Sequence, residues 1–187
     1  MLTSLALAMV TSLCVFPSDA RASLEEKGPQ DSRWQYALLV LPGGEGQIDY
    51  LLIQVASKDS VLEGQAFYLS HAHDSLPFEQ LTLKDIIQRL NEGAGVCVRL
   101  KGNRRAEKWT LESEEVLIQK GSSRWRYKWT ITGNVQKSAV EWKVHEDYWF
   151  GGYEHFPEDY SVQASLLNAL PVPLQERRNC LPASTGP

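Results

Sequence analysis

One stretch of the chain leaves little freedom of interpretation. Between residues 124 and 131, Trp125, Tyr127, Trp129 and Ile131 alternate with Arg124, Arg126, Lys128 and Thr130. A period of two places successive side chains on opposite sides of an extended strand, so this segment has one aromatic face and one basic face. A strand of that kind needs neighbours to complete its hydrogen bonds and a core to cover its rings, which makes a β-rich domain the starting point. Gly133-Asn134 follow at once and have the composition of a two-residue hairpin turn, with Gly supplying the positive φ. That turn puts Tyr127 opposite Val140, Trp125 opposite Trp142 and, on the other face, Arg126 opposite Glu141. Both faces then match in character, which a slip of one residue would destroy.

Upstream, residues 33–41 and 47–56 have continuous apolar centres, read as strands buried on both faces and joined by a turn at 42–46. Residues 61–70 make a third strand. A helix over about 82–92 is well signed. Thr82 can cap it, Asp85 sits at the favourable end of its dipole, and Leu81 and Ile86 are placed as a hydrophobic staple. Leu83, Ile86, Ile87 and Leu90 share one face, and Gly93 and Gly95 end the element. A helix this short needs tertiary support, so it should lie on the sheet. Residues 96–101 read as a strand, Gly102-Asn103 as a turn, and 108–111 and 115–119 as two weaker strands. Residues 147–160 read as an aromatic loop around Gly151-Gly152, followed by a second helix over about 161–170 that Pro171 and Pro173 stop. The expected fold class is therefore α+β: a mainly antiparallel, curved or barrel-like sheet with the 82–92 helix packed on it and a C-terminal helix. A lipocalin-like barrel is similar in size and in the placement of its cysteine pair, but its meander has no place for a mid-chain helix.

The N-terminus carries an address. Residues 2–16 are apolar except for small hydroxyl residues but fall short of the about 20 residues a membrane span needs. Pro17 ends the run, and Ala20-Arg21-Ala22 gives the small-x-small pattern of a signal-peptidase site, with cleavage before Ser23. The organisation that follows is a signal peptide at 1–22, a flexible leader at 23–32, one β-rich domain at 33–175 and a tail at 176–187. No transmembrane span is expected after cleavage. Cys14 leaves with the signal, and Cys97 and Cys180 remain as a pair expected to form a disulfide in a periplasmic or extracellular compartment. The net charge of −4 argues against a nucleic-acid partner.

No motif specifies a reaction. Ser70-His71-Ala72-His73-Asp74 could aim two imidazoles at one metal ion, with His145 or His155 completing the set. The string is similar to the first half of the His-x-His-x-Asp-His motif of metallo-β-lactamase-fold hydrolases. Ser75 and Leu76 stand where that motif has its Asp and its next His, so neither a metal site nor a cofactor is assigned. There is no Gly-x-Ser-x-Gly elbow. Carboxylates such as Glu112, Glu114, Glu115, Asp147, Glu154, Glu158 and Asp159 are plentiful, but paired acids act only at set separations in space. Arg104, Arg105, Lys108, Arg124, Arg126 and Lys128 make either an ordinary solvated face or a positive patch for an anionic partner. The leading contact surface is the set Tyr148, Trp149, Phe150, Tyr153, Phe156 and Tyr160, since aromatic residues in loops are frequent binding anchors; the alternative is that this loop folds back and plugs the end of the core. The expected function is an exported, non-catalytic binding or accessory protein of the cell envelope or extracellular space, with a protein or envelope polymer expected ahead of a small molecule. The alternatives are a hydrolase, metal-dependent through His71 and His73 or acid-based, and a structural envelope component.

Overall fold

A computed structural model describes residues 34–43, 46–77, 79–120, 123–135, 140–151, 154–175 and 180. The expected signal peptide and leader lie outside them. The described chain forms β1 (Trp34–Pro42), β2 (Ile48–Lys58), β3 (Val61–Leu69), α1 (His71–Asp74), α2 (Leu83–Asn91), β4 (Val96–Arg105), β5 (Lys108–Ser113), β6 (Val116–Lys120), β7 (Ser123–Asn134), β8 (Val140–Phe150), β9 (Glu154–Ala164) and β10 (Leu166–Leu167). The strands make one antiparallel sheet in the order β10-β1-β2-β3-β4-β5-β7-β8-β9, with β6 also pairing to β7. β10 follows β9 after a single residue yet pairs with β1, Tyr36 facing Leu167. The sheet therefore curls into a half-barrel, and the fold is mainly β with one substantial helix rather than α+β.

Curling brings backbones close, and two glycines make room for it. At Gly64 in β3 a Cβ would stand 2.0 Å from the Gln54 carbonyl oxygen, and at Gly102 in β4 it would stand 1.9 Å from that of Thr110. Any side chain there would force neighbouring strands apart, so glycine marks a bend. Gly102 is thus a strand residue rather than half of the expected Gly102-Asn103 turn. The chain reverses at Ala106-Glu107 instead, where Ala106 takes a φ of 52°.

The concave face is packed by alternate residues, among them Leu39, Leu51, Ile53, Leu62, Leu100, Leu111, Trp129 and Ile131, all at most 1 % exposed. On the convex side α2 covers Tyr50, Leu52, Phe67 and Leu69 with Ile86, Ile87 and Leu90. Helix and core together bury both faces of this part of the sheet, which is why β1 and β2 read as unbroken apolar runs. The α2 start is as the sequence implies: Thr82 Oγ1 accepts the Asp85 N–H and Asp85 reaches back to the Thr82 N–H, a reciprocal capping box. Asn91 then hydrogen-bonds both Pro173 O (3.0 Å) and the Gln175 N–H (2.9 Å), seating the C-terminal segment on the helix end. Beside them a Cys97–Cys180 disulfide ties β4 to the tail, with Cα atoms 4.9 Å apart. In the loop-entropy model such a long closure stabilises the domain by about 4 kcal/mol.

Two expectations for the second half are corrected. The β7–β8 hairpin does not turn at Gly133-Asn134. Both residues belong to β7, and Trp125 meets Phe150 and Tyr127 meets Tyr148, eight positions beyond the expected Trp142 and Val140. The even offset keeps every side chain on its expected face. Gly133 lies flat beneath the Trp142 indole, whose ring a Cβ would approach to 2.5 Å, so space rather than turn geometry explains it. Residues 161–170 are not helical: β9 runs to Ala164 and β10 follows. Val162, Leu166 and Ala169 share the helical period while Tyr160, Val162 and Ala164 share the strand period, and a ladder of eleven pairs with β8 decides between them. Among the described residues no helix is long and apolar enough to cross a membrane.

If the curl depends on that close approach, Gly102→Ala should destabilise the domain by about 3 kcal/mol in urea unfolding. A loss under about 0.5 kcal/mol, within the range of ordinary surface changes, would show that the strands can separate freely there.

Candidate functional site

The inner positions of β8 and β9 are apolar or aromatic until the ladder reaches Glu146 and Glu158, which stand directly opposite each other. Like charges facing across a strand pair repel, so the two carboxyls need a local remedy. Glu146 is buried, at 4 % exposure. Burial pushes its carboxyl up to about 7, with the Asp49 charge adding to the effect, while hydrogen bonding with Tyr160 and Trp129 works the other way. Trp129 Nε1–H donates to Glu146 Oε1 at 3.2 Å. Glu158 is half-buried and accepts the Tyr148 hydroxyl at 3.2 Å and the Tyr160 hydroxyl. Tyr160 therefore lies between the two acids, near neutral pH one carboxyl is poised between its forms, and the other accepts two phenols.

The rest of the site holds this pair in place. Burial first, and then the nearby carboxylates, raise the Tyr68, Tyr127 and Tyr148 hydroxyls, so all three stay protonated. Tyr68 donates to Asp49 Oδ2 at 2.7 Å. Trp129 is positioned through its backbone: where β5 stops pairing with β7, Ser113 Oγ accepts the Trp129 N–H at 2.8 Å and fills the gap before β6 begins. Toward the open end the concave surface becomes a sheet of rings. Trp125 packs on Phe150 (4.7 Å between centroids) and Tyr148 stacks on Phe156 (5.1 Å). Phe150 is 38 % exposed and Phe156 39 %, although both occupy core-parity positions.

The expected aromatic loop is thus the β8–β9 hairpin, and its rings divide between two faces. Tyr148, Phe150, Phe156 and Tyr160 belong to the concave site. Trp149 is on the convex side, stacked on His155 (4.8 Å) with the Arg126 guanidinium 4.6 Å from its ring. Tyr153 lies outside the described residues. The Gly151-Gly152 pair gave the segment its loop character, and Pro157 sits in the last strand of the order, where a missing N–H is tolerated.

The His71–Asp74 string forms the single turn α1, and its acid serves the backbone. Asp74 accepts the Ser70 and Gly95 N–H groups, each at 2.9 Å, and Asp49 accepts the His71 N–H at 2.8 Å. The His73 side chain lies outside the described residues. His145 and His155 engage Asp159 (2.9 Å) and Asp147 (2.7 Å) on the convex face of β8 and β9, and the Asp159 hydrogen bond raises the His145 proton affinity. Among the described residues no group of three or more His, Cys, Asp or Glu is placed to hold a metal ion. Of the acids singled out in the sequence, Glu158 alone joins the buried pair. Its partner Glu146 was legible only by carrying the alternation Trp142, Val144, Glu146, Tyr148 up to and into the supposed loop at 147–160, which puts an acid at a core position. No family model, curated protein or solved structure matches the chain.

The pH dependence of stability follows from the direction of the Glu146 shift. A carboxyl raised from 4.5 to about 7 stabilises the fold fully below its unfolded value and loses that contribution as pH rises through the folded one. The stability of the wild type relative to Glu146→Gln should therefore fall between these limits, by about 3 kcal/mol in all. Urea midpoints that track each other from pH 4 to pH 8 would contradict the burial of this acid.

Proposed function

We propose that this chain is a non-catalytic binding protein that holds part of a partner, a chain of envelope polymer or a small ligand, against the concave aromatic end of its sheet. The observation that carries this reading is the exposure of Phe150 and Phe156 beside the packed rings of Trp125 and Tyr148. Apolar rings left partly open on a concave surface are what a ligand site offers, and on strands they are already organised. The Cys97–Cys180 disulfide supports work in an oxidising compartment, in keeping with the expected signal sequence.

A second reading, acid–base hydrolysis, is favoured by the opposed Glu146 and Glu158. An acid pair with one carboxyl pushed up to about 7 by burial and the other accepting two tyrosine hydroxyls has the divided environments that general acid–base chemistry uses.

Nile red, a neutral aromatic dye, tests the binding surface. It should bind saturably, and Phe150→Ala with Phe156→Ala should weaken it by about tenfold, from the loss of two ring contacts, with an unchanged melting temperature. Trp149→Ala, on the other face, should leave the affinity unchanged. Equal affinity in wild type and the double variant would reject the concave end as the binding surface. Under the hydrolytic reading Glu146→Gln would instead abolish turnover of chromogenic glycosides or esters while dye binding persists.

A further inference from the structure

The convex face carries a second feature, remote in character from the concave rings. The β4–β5 hairpin places Asn103 opposite Thr110 and Arg105 opposite Lys108. These four residues line a cavity of about 320 Å³. Its surroundings continue the same chemistry: Lys108 faces Asn134, Thr110 faces Thr132, and Thr132 faces Lys143. Two cations set directly opposite each other lower the stability of a hairpin. Elsewhere on this face the sheet avoids that cost. Lys101 stands between Glu63 and Glu112, Lys128 stands opposite Asp147, and Arg126 pairs with Glu115 at 3.5 Å. Among the described residues neither Arg105 nor Lys108 has an ion-pair partner, and Glu107 in the turn between them pairs with neither. The next acid on β8, Glu141, accepts the Ser161 hydroxyl at 2.7 Å.

We propose that this groove binds a tetrahedral oxyanion, a phosphate or sulfate ester group. Arg105 and Lys108 supply the charge, and Asn103 and Thr110 supply neutral hydrogen bonds. A guanidinium presents its N–H groups as a fork that fits two oxygens of such a group at once, and an ammonium adds a point charge from the opposite strand. The cavity is at the small end of ligand sites, which suits one phosphorylated or sulfated unit rather than a large molecule. An uncompensated cation pair in a chain of net charge −4 is then explained as a site whose counter-charge arrives with the ligand.

Calorimetric titration with inorganic phosphate and with long-chain polyphosphate tests the site. Arg105→Gln with Lys108→Gln should lower the affinity by about tenfold or more and leave the melting temperature unchanged or higher, since repulsion is relieved. Arg124→Gln with Lys128→Gln removes the same charge from the same face and should change the affinity by less than about threefold. Saturable binding of inorganic phosphate assigns the groove to the free group. Binding of polyphosphate alone, with the same variant dependence, assigns it to a repeating anionic polymer. Equal losses in the two double variants would show diffuse surface charge and overturn the site, as would no binding of either probe.

Discussion

Everything distinctive about this domain depends on how closely four strands can approach each other at two glycines. With Cβ atoms at Gly64 and Gly102 the backbones of β2 and β5 would be displaced, and the sheet would open toward a flatter form. Sheets twist of their own accord, but closing one toward a barrel concentrates the bend where a side chain is missing. The curl gives the concave face its enclosure. Rings from distant strands then meet, Tyr68 of β3 lying 5.0 Å from Trp129 and 5.4 Å from Tyr127 of β7. The same enclosure turns Glu146, an ordinary acid in sequence, into a buried one. Helix α2, residues 170–175 and the disulfide secure the opposite side, covering the part of the convex face that could not be left in water.

The curl also separates two kinds of chemistry that one strand carries in alternation. Along β7 the rings of Trp125, Tyr127 and Trp129 point inward, while Arg124, Arg126 and Lys128 point outward. Along β8 and β9 the inner positions hold Glu146, Glu154 and Glu158 and no Lys or Arg, whereas the outer ones hold His145, Asp147, His155 and Asp159. A modest net charge thus conceals a concave face that is aromatic and acidic and a convex face with an uncompensated basic groove. The two proposed sites therefore lie on opposite faces of one sheet.

What was legible in the sequence was what short-range physics decides. The α2 cap needs only Thr82 and Asp85, three residues apart, and the period of two in β7 needs no knowledge of its neighbours. Face assignment survived even a pairing register displaced by eight residues, because parity is robust to an even shift. What depended on distant contacts was hidden. Gly133 resembles a turn residue until Trp142 is seen above it, and Gly102 resembles one until Thr110 is seen beside it. The aromatic loop resolved into a hairpin because the β8–β9 ladder outweighs the glycine pair. The opposition of Arg105 and Lys108 could not be read while the turn was placed at Gly102-Asn103, and the Glu146–Glu158 pair required the full register of β8 on β9.

The state of Glu146 reports the curl most directly, because on a flat sheet this carboxyl would face water and titrate like any other. A pH titration of glutamate side-chain carboxyl shifts by carbon-13 NMR would read it. One glutamate should titrate near 7, and its signal should vanish in the Glu146→Gln protein. A set of glutamates that all titrate in the ordinary range would contradict an enclosed concave face, and with it the site built there.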